Sequence, residues 1–236
     1  MKIVTWNCNG AFRKKFHALE GLAADICVIQ ECEDPAHAKG PYQHWAGTYL
    51  WHGENKHKGL GVFARNGITI RRLDWDDDGL QSFLPVRVND AFNLIAVWTK
   101  EANSPTFRYI GQLWKYLQKH KDRMAAEPTV LCGDLNSNKI WDVWDRWWNH
   151  SDVVRELAEA KMRSLYHLAT GEEQGAESAP TFFLHRNLAK PYHIDFAFAS
   201  DDLFDRQRNS VVVGHHSRWL ELSDHVPVEF SISTST

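Results

Sequence analysis

The run Val130–Leu131–Cys132–Gly133–Asp134–Leu135–Asn136–Ser137–Asn138 changes from apolar to polar at a single glycine. Side chains alternate along an extended chain, so Asp134 and Asn136 share a face. Their carboxylate and amide then meet in one small volume, as polarising a phosphoryl or carbonyl oxygen requires. Asn7, Glu31, Asp195, Asp224 and His225 also stand at or beside the ends of β-rich runs. Each alone reads more simply as a turn former or a structural histidine, because short polar side chains bond their own backbone. Together they offer hard oxygen donors suited to Mg²⁺ or Mn²⁺, and no cysteine–histidine spacing competes to form a zinc site.

Buried strands must position these residues. Lys2–Trp6 alternates and breaks at Asn7–Gly10, while Asp25–Glu31 is apolar until its carboxylate. Between them Phe12, Phe16, Leu19 and Leu22 have helical spacing, which predicts a βαβ-like unit with its strand ends on one edge. Leu60–Ala64 and Ile68–Leu73 read as a hairpin across Asn66–Gly67. Phe83–Val88 and Asn93–Trp98 follow as strands, and Phe107–Leu117 as a helix capped by Ser104 or Thr106. Ile140–Trp148 and Asp152–Met162 show helical periodicity, and Trp141, Trp144, Trp147 and Trp148 are expected mainly in the core, with a hydrophobic wall beside the site as the alternative. Thr181–Leu184, His193–Phe198 and Val226–Ile232 supply a second run of strands. The pattern predicts a two-sheet α/β sandwich with outer helices.

The 236 residues, 43% hydrophobic and 24% charged, suit a globular chain, and without a linker or repeat one domain over 1–236 is expected. No apolar run is long enough to span a bilayer, and the first residues enter a strand pattern directly, which predicts a soluble, cytoplasmic protein. Cys8, Cys27, Cys32 and Cys132 read as buried thiols. A net charge of −3 argues against coating nucleic acid by bulk electrostatics, although a local basic groove remains compatible with it. Arg13, Lys14 and Lys15 read first as the exposed face of the first helix.

Five ordered pieces, Thr5–Trp6–Asn7, Ile29–Gln30–Glu31, Gly133–Asp134–Leu135–Asn136, His193–Ile194–Asp195 and Ser223–Asp224–His225, resemble the endonuclease/exonuclease/phosphatase superfamily of metal-dependent phosphoesterases. The resemblance implies a four-layer α/β/β/α sandwich of two packed mixed sheets with outer helices. It makes Glu31 the principal Mg²⁺ ligand, with Asn7 and Asp224 close to that metal or its waters. It gives Asp134 and Asn136 the attacking water, Asp195 the orientation of His225, and His225 the scissile phosphate. Two positions depart from the pattern. Asn9 stands where family nucleases that cut at abasic sites usually carry an acid, and Trp98 where they or their deoxyribonuclease relatives carry Tyr or His. Trp98, Asn103 and Arg108, with Lys100, are the candidate substrate contacts, although solvated surface charge is the simpler reading of the polar ones. The expected activity is Mg²⁺-dependent hydrolysis of phosphodiesters in nucleic acid, with DNA as the expected substrate, as an endonuclease or exonuclease. A small phosphate ester or phospholipid headgroup is the alternative substrate, and a catalytically degenerate binding module the alternative of another class.

Overall fold

A strand buried on both faces must be covered twice, and the segment Phe92–Trp98 is buried at every position. The computed structural model describes residues 1–80, 83–102, 104–204 and 210–233. In chain order the first half holds β1 (Lys2–Asn7), β2 (Ile26–Cys32), α1 (Pro41–Ala46), β3 (Thr48–Asn55), β4 (Lys58–Ala64), β5 (Ile70–Arg72), β6 (Phe83–Val88), β7 (Phe92–Trp98) and α2 (Ile110–Ala126). The second holds β8 (Thr129–Asp134), α3 (His150–Glu159), β9 (Met162–Ser164), α4 (Leu165–Thr170), β10 (Phe182–Phe183), β11 (Pro191–Tyr192), β12 (Asp195–Ser200), β13 (Val211–Val213), α5 (His216–Trp219) and β14 (Val228–Ser231).

One sheet runs β13-β14-β1-β2-β4-β3 and the other β5-β6-β7-β8-β12-β9, while β10 pairs with β11. Three apolar clusters fill the three interfaces of a four-layer sandwich. Ile3, Val28 and Val62 of the first sheet meet Leu94, Val130 and Ala197 of the second between the sheets. Ile95, Leu131 and Phe196 point the other way, onto Leu113 and Leu117 of α2 and Val153 and Leu157 of α3. Val4, Trp6 and Ile29 face Phe12, Leu22, Tyr42 and Trp219 on the first sheet's outer side. The alternation of Leu94, Ala96 and Trp98 with Ile95 and Val97 assigns each residue to its interface.

Parallel pairing of β1 with β2 sets Asn7 beside Gln30, and parallel pairing of β7 with β8 sets Trp98 beside Asp134. Antiparallel β12 brings Asp195 opposite Asp134. The polar strand ends therefore gather at one edge of the paired sheets.

Several local expectations are corrected. Ile68–Leu73 does not pair with Leu60–Ala64: β4 pairs with β2 and β3, and β5 joins β6 in the other sheet. The Asn66–Gly67 turn is thus a crossing between sheets. The Phe12–Leu22 stretch forms two 3-10 segments, Phe12–Lys14 and Phe16–Leu22. Neither Ser104 nor Thr106 caps α2: its N-cap is Tyr109, which makes no side-chain cap bond, and Ser104 accepts from the Phe107 amide instead. Ile140–Trp148 contains only a 3-10 turn at Lys139–Trp141. Asn149 replaces the helix, bonding the Val143 amide and carbonyl, the Arg146 carbonyl and the Arg146 side chain. Trp141, Trp144 and Trp147 are consequently exposed, Trp144 at 96%, and are not core. The next helix is α3, capped by Asn149 and Asp152, and Met162 begins β9.

Candidate functional site

The site has a buried half and an open half. In the buried half, Asp195 Oδ2 lies 2.8 Å from His225 Nδ1, and His225 Nε2 lies 3.9 Å from Asp134 Oδ2. Backbone contacts fix both partners. The amides of Ile194 and Asp195 donate to Thr181 Oγ1, the His225 amide donates to Ser223 Oγ, and Ser223 donates to the Asn7 carbonyl. Burial opposes a charge on His225, but Asp195 and Asp134 outweigh it and raise the imidazole well above its ordinary range. Burial, aided by Asp195, raises the Asp134 carboxyl against the pull of His225. Asp134 Oδ2 accepts from the amides of Asn7 at 2.9 Å and Asn136 at 3.0 Å, and Oδ1 accepts from the Asn136 backbone at 2.8 Å. Asn136 also donates to the Thr99 carbonyl, tying the turn after β8 to the end of β7.

Gly133 makes this placement possible. Its φ is +148°, and a Cβ there would stand 1.8 Å from the Val97 carbonyl oxygen, so only glycine lets β8 approach β7 beside Asp134.

The open half is built at the ends of β1 and β2. Strand alternation alone would turn Glu31 away from Gln30, toward the outer cluster. Instead one extra residue slips the register between Gln30 and Cys32, and Glu31 takes φ +63°. This bulge returns Glu31 to the site edge, where Asn7 Nδ2 donates to its Oε1 at 3.3 Å and Lys58 Nζ stands 2.8 Å from its Oε2. Asn9 Nδ2 donates to Asp224 Oδ1 at 2.9 Å, and the Asn9 amide donates to Asn7 Oδ1.

Two groups of donors can be weighed for a metal. One ligand atom each from Asp134, Asp195 and His225 lies within 4.8 Å of the others. Asp195 and His225 already satisfy each other there, and a protonated imidazole repels a cation. Glu31 and Asp224, with the amides of Asn7 and Asn9, form an oxygen-rich set whose chemistry fits a hard divalent cation. Glu31 accepts the Lys58 ammonium, so this edge suits positive charge.

Other expected residues divide. Trp98 lies beside the site at 9% exposure, with its ring facing the intersheet core. Arg108 pairs with Glu101 on the surface and does not join the network, and Asn103 lies outside the described residues. Arg13 pairs with Glu33, and Lys15 donates to the carbonyls of Cys8 and Asn9, so these two brace the loop after β1. Sequence reasoning gave no site role to Lys58, Thr181, Ser223 and Phe182. The Phe182 ring lies 4.6 Å from that of His225 and continues through Tyr192 at 6.3 Å to Trp141 a further 5.1 Å away. The Thr181–Leu184 run signalled only a strand.

Two packed mixed sheets with outer helices gather these polar strand ends at one edge. The model of the endonuclease/exonuclease/phosphatase family matches residues 4–225, so the chain belongs to that family and is a hydrolase of phosphate ester bonds. Similar folds include a 3′-5′ exonuclease from Neisseria meningitidis, with TM-score 0.72 and 21% identity over 99% of this chain and 100% of the other. A Neisseria 3′ phosphatase bound to a product DNA hairpin gives 0.73 and 22% over 99% of each chain. An AP endonuclease from Archaeoglobus fulgidus gives 0.69 and 17% over 99% and 100%. No curated protein matches the sequence. No helix among the described residues is long and apolar enough to cross a membrane.

Proposed function

We propose that the chain, acting as one domain over 1–236, is an Mg²⁺-dependent phosphodiesterase of nucleic acid, with DNA as the preferred substrate. The observation that carries this reading is the buried Asp195–His225–Asp134 set opening onto the oxygen-rich edge of Glu31 and Asp224. His225, kept protonated by Asp195, offers a hydrogen bond and positive charge to a nonbridging phosphate oxygen. Asp134, its carboxyl raised by burial, accepts a proton from the attacking water, and Asn136 orients that water. Glu31, Asn7 and Asp224 would hold the cation, which supplies charge neutralisation on the phosphate oxygens when bound. Phe182 and Tyr192 offer faces on which a sugar or base packs. The DNA-bound Neisseria neighbour supports a nucleic-acid substrate. The four buried free thiols suit a reducing cytoplasm.

A small phosphate ester is the second reading, favoured by the net charge of −3 and by the Trp98 indole where relatives carry a phenol or imidazole. A panel of abasic, nicked, single-stranded and duplex oligonucleotides beside small phosphate esters, each with Mg²⁺, Mn²⁺ or EDTA, separates the readings. Metal-dependent cleavage of oligonucleotides, lost in Glu31→Ala and His225→Ala, is expected. Intact oligonucleotides with turnover of a small ester would select the second reading.

A further inference from the structure

Glu31, Asp134, Asp195 and Asp224 converge at the site, yet a phosphodiester is itself an anion and needs cations to approach them. His225 is buried, and Lys15 is committed to the carbonyls of Cys8 and Asn9. On the opposite side, two lysines converge on one ring. Lys58 Nζ lies 5.6 Å and Lys100 Nζ 5.2 Å from the centroid of Trp98, the residue registered beside Asp134.

Each lysine has a second anchor. Lys58 pairs with Glu31 at 2.8 Å and Lys100 with Glu54 at 2.7 Å. Holding a lysine stem in place costs rotamer freedom, and two ammonium groups on one ring repel each other. An anion bridging them relieves that repulsion. The β3–β4 hairpin delivers Lys58. At Gly59 a Cβ would stand 2.3 Å from the Trp51 ring, so the glycine lets that ring fold across the strand next to Lys58. Positive potential extends outward through Arg72, whose Nη2 lies 3.3 Å from His52 Nδ1. Burial, with Arg72 and Lys100, holds His52 below its ordinary range, and its buried Nε2 has no hydrogen-bond partner.

We propose that Lys58 and Lys100, staged on Trp98, grip two successive phosphates of a nucleic-acid strand, Lys58 at the scissile phosphate and Lys100 at its neighbour. Lys58 is the inner of the two because its anchor, Glu31, belongs to the site, whereas Glu54 lies outside it. The assignment rests on the phosphodiesterase reading and adds to it a need for more than one phosphate.

The test measures kcat and KM with Mg²⁺ for a DNA oligonucleotide and for bis(p-nitrophenyl) phosphate, using wild type, K58M, K58R and K100M. Thermal melting checks that each variant is folded. K58M is expected to raise KM about tenfold on both substrates, with K58R restoring most of the loss. K100M is expected to raise KM about tenfold more for the oligonucleotide than for the small ester. Oligonucleotide binding, followed by fluorescence anisotropy against salt, should lose about one unit of log–log slope per lysine removed. Unchanged KM values, or an equal effect of K100M on both substrates, would overturn the proposal. If wild type hydrolyses neither substrate, the phosphodiesterase reading fails, and the salt slope still decides the grip: slopes equal to wild type in K58M and K100M would refute it.

Discussion

Each sheet delivers one parallel pair of strands to the site edge, β1 with β2 and β7 with β8, and the two pairs solve the same placement differently. In the second sheet Gly133 lets the backbone close on Val97, and Asp134 continues the inward alternation of Val130 and Cys132. In the first sheet alternation would send Glu31 outward, and an inserted residue with positive φ brings it back. The glycine-built half is buried and closely hydrogen-bonded, with Asp195 Oδ1 left without a hydrogen-bond partner, whereas the bulge-built half is partly open and takes its cation from a half-exposed side chain, Lys58. Fixed groups suit proton handling, while an open carboxylate suits an exchangeable ion.

Breaking the close approach should have the largest effect. Gly133→Ala places a methyl against the Val97 carbonyl and is expected to cost about 4 kcal/mol or more, read as loss of folded protein in urea melts. Wild-type stability would show that β8 can shift and that Asp134 is not rigidly placed. Removing the paired imidazole is next. His225→Gln should lower kcat roughly a thousandfold with little change in melting temperature, measured on a metal-supplemented oligonucleotide.

A third prediction concerns the support beneath the buried half. Glu177 accepts from Asn138 at 3.0 Å and lies 3.1 Å from His167 Nε2, and Asn138 also donates to the His193 carbonyl. Burial opposes the Glu177 charge, but these bonds and the Gly175 amide outweigh it and lower the carboxyl to about 2. A depressed carboxylate stabilises the fold above its ordinary range near 4.5 and loses that contribution as pH falls toward 2. Glu177→Gln should therefore cost about 2 kcal/mol at neutral pH and flatten acid unfolding between those limits. Equal acid profiles would remove Glu177 from the account. The smallest effect sharpens the open half. Asn9→Asp replaces the donor to Asp224 with a second carboxylate, so it should lower stability in EDTA by about 0.5 kcal/mol and regain it with Mg²⁺.

The strand ends were legible because an apolar run meets a polar residue there, ending at Asn7 and Asp134 and beginning at Asp195, which picks out these residues without knowledge of the fold. Glu31 was identified by its motif, but its inward aim depends on a bulge whose opposing residues lie far away in sequence. The Asn66–Gly67 turn misled because local turn chemistry is the same whether the chain doubles back or crosses to another sheet. Ile140, Val143, Trp144 and Trp147 imitate a helix, yet Asn149 takes up the Val143 backbone and the Arg146 carbonyl and holds the segment as a loop. Strand β3 is partly buried without strict alternation, so Trp51 and His52 gave no signal. Lys58 matters only because a hairpin tip meets Glu31 and Trp98.

The most direct test compares DNA oligonucleotide cleavage by wild type, Asp195→Asn and the Asp195→Asn/His225→Gln double variant, with Mg²⁺ and with EDTA. The account predicts metal-dependent cleavage by wild type, a loss of at least roughly a hundredfold in Asp195→Asn, and a further loss in the double variant smaller than that of His225→Gln alone, because the two residues act as one unit. Cleavage that survives both substitutions at the wild-type rate, or that proceeds equally in EDTA, would contradict it.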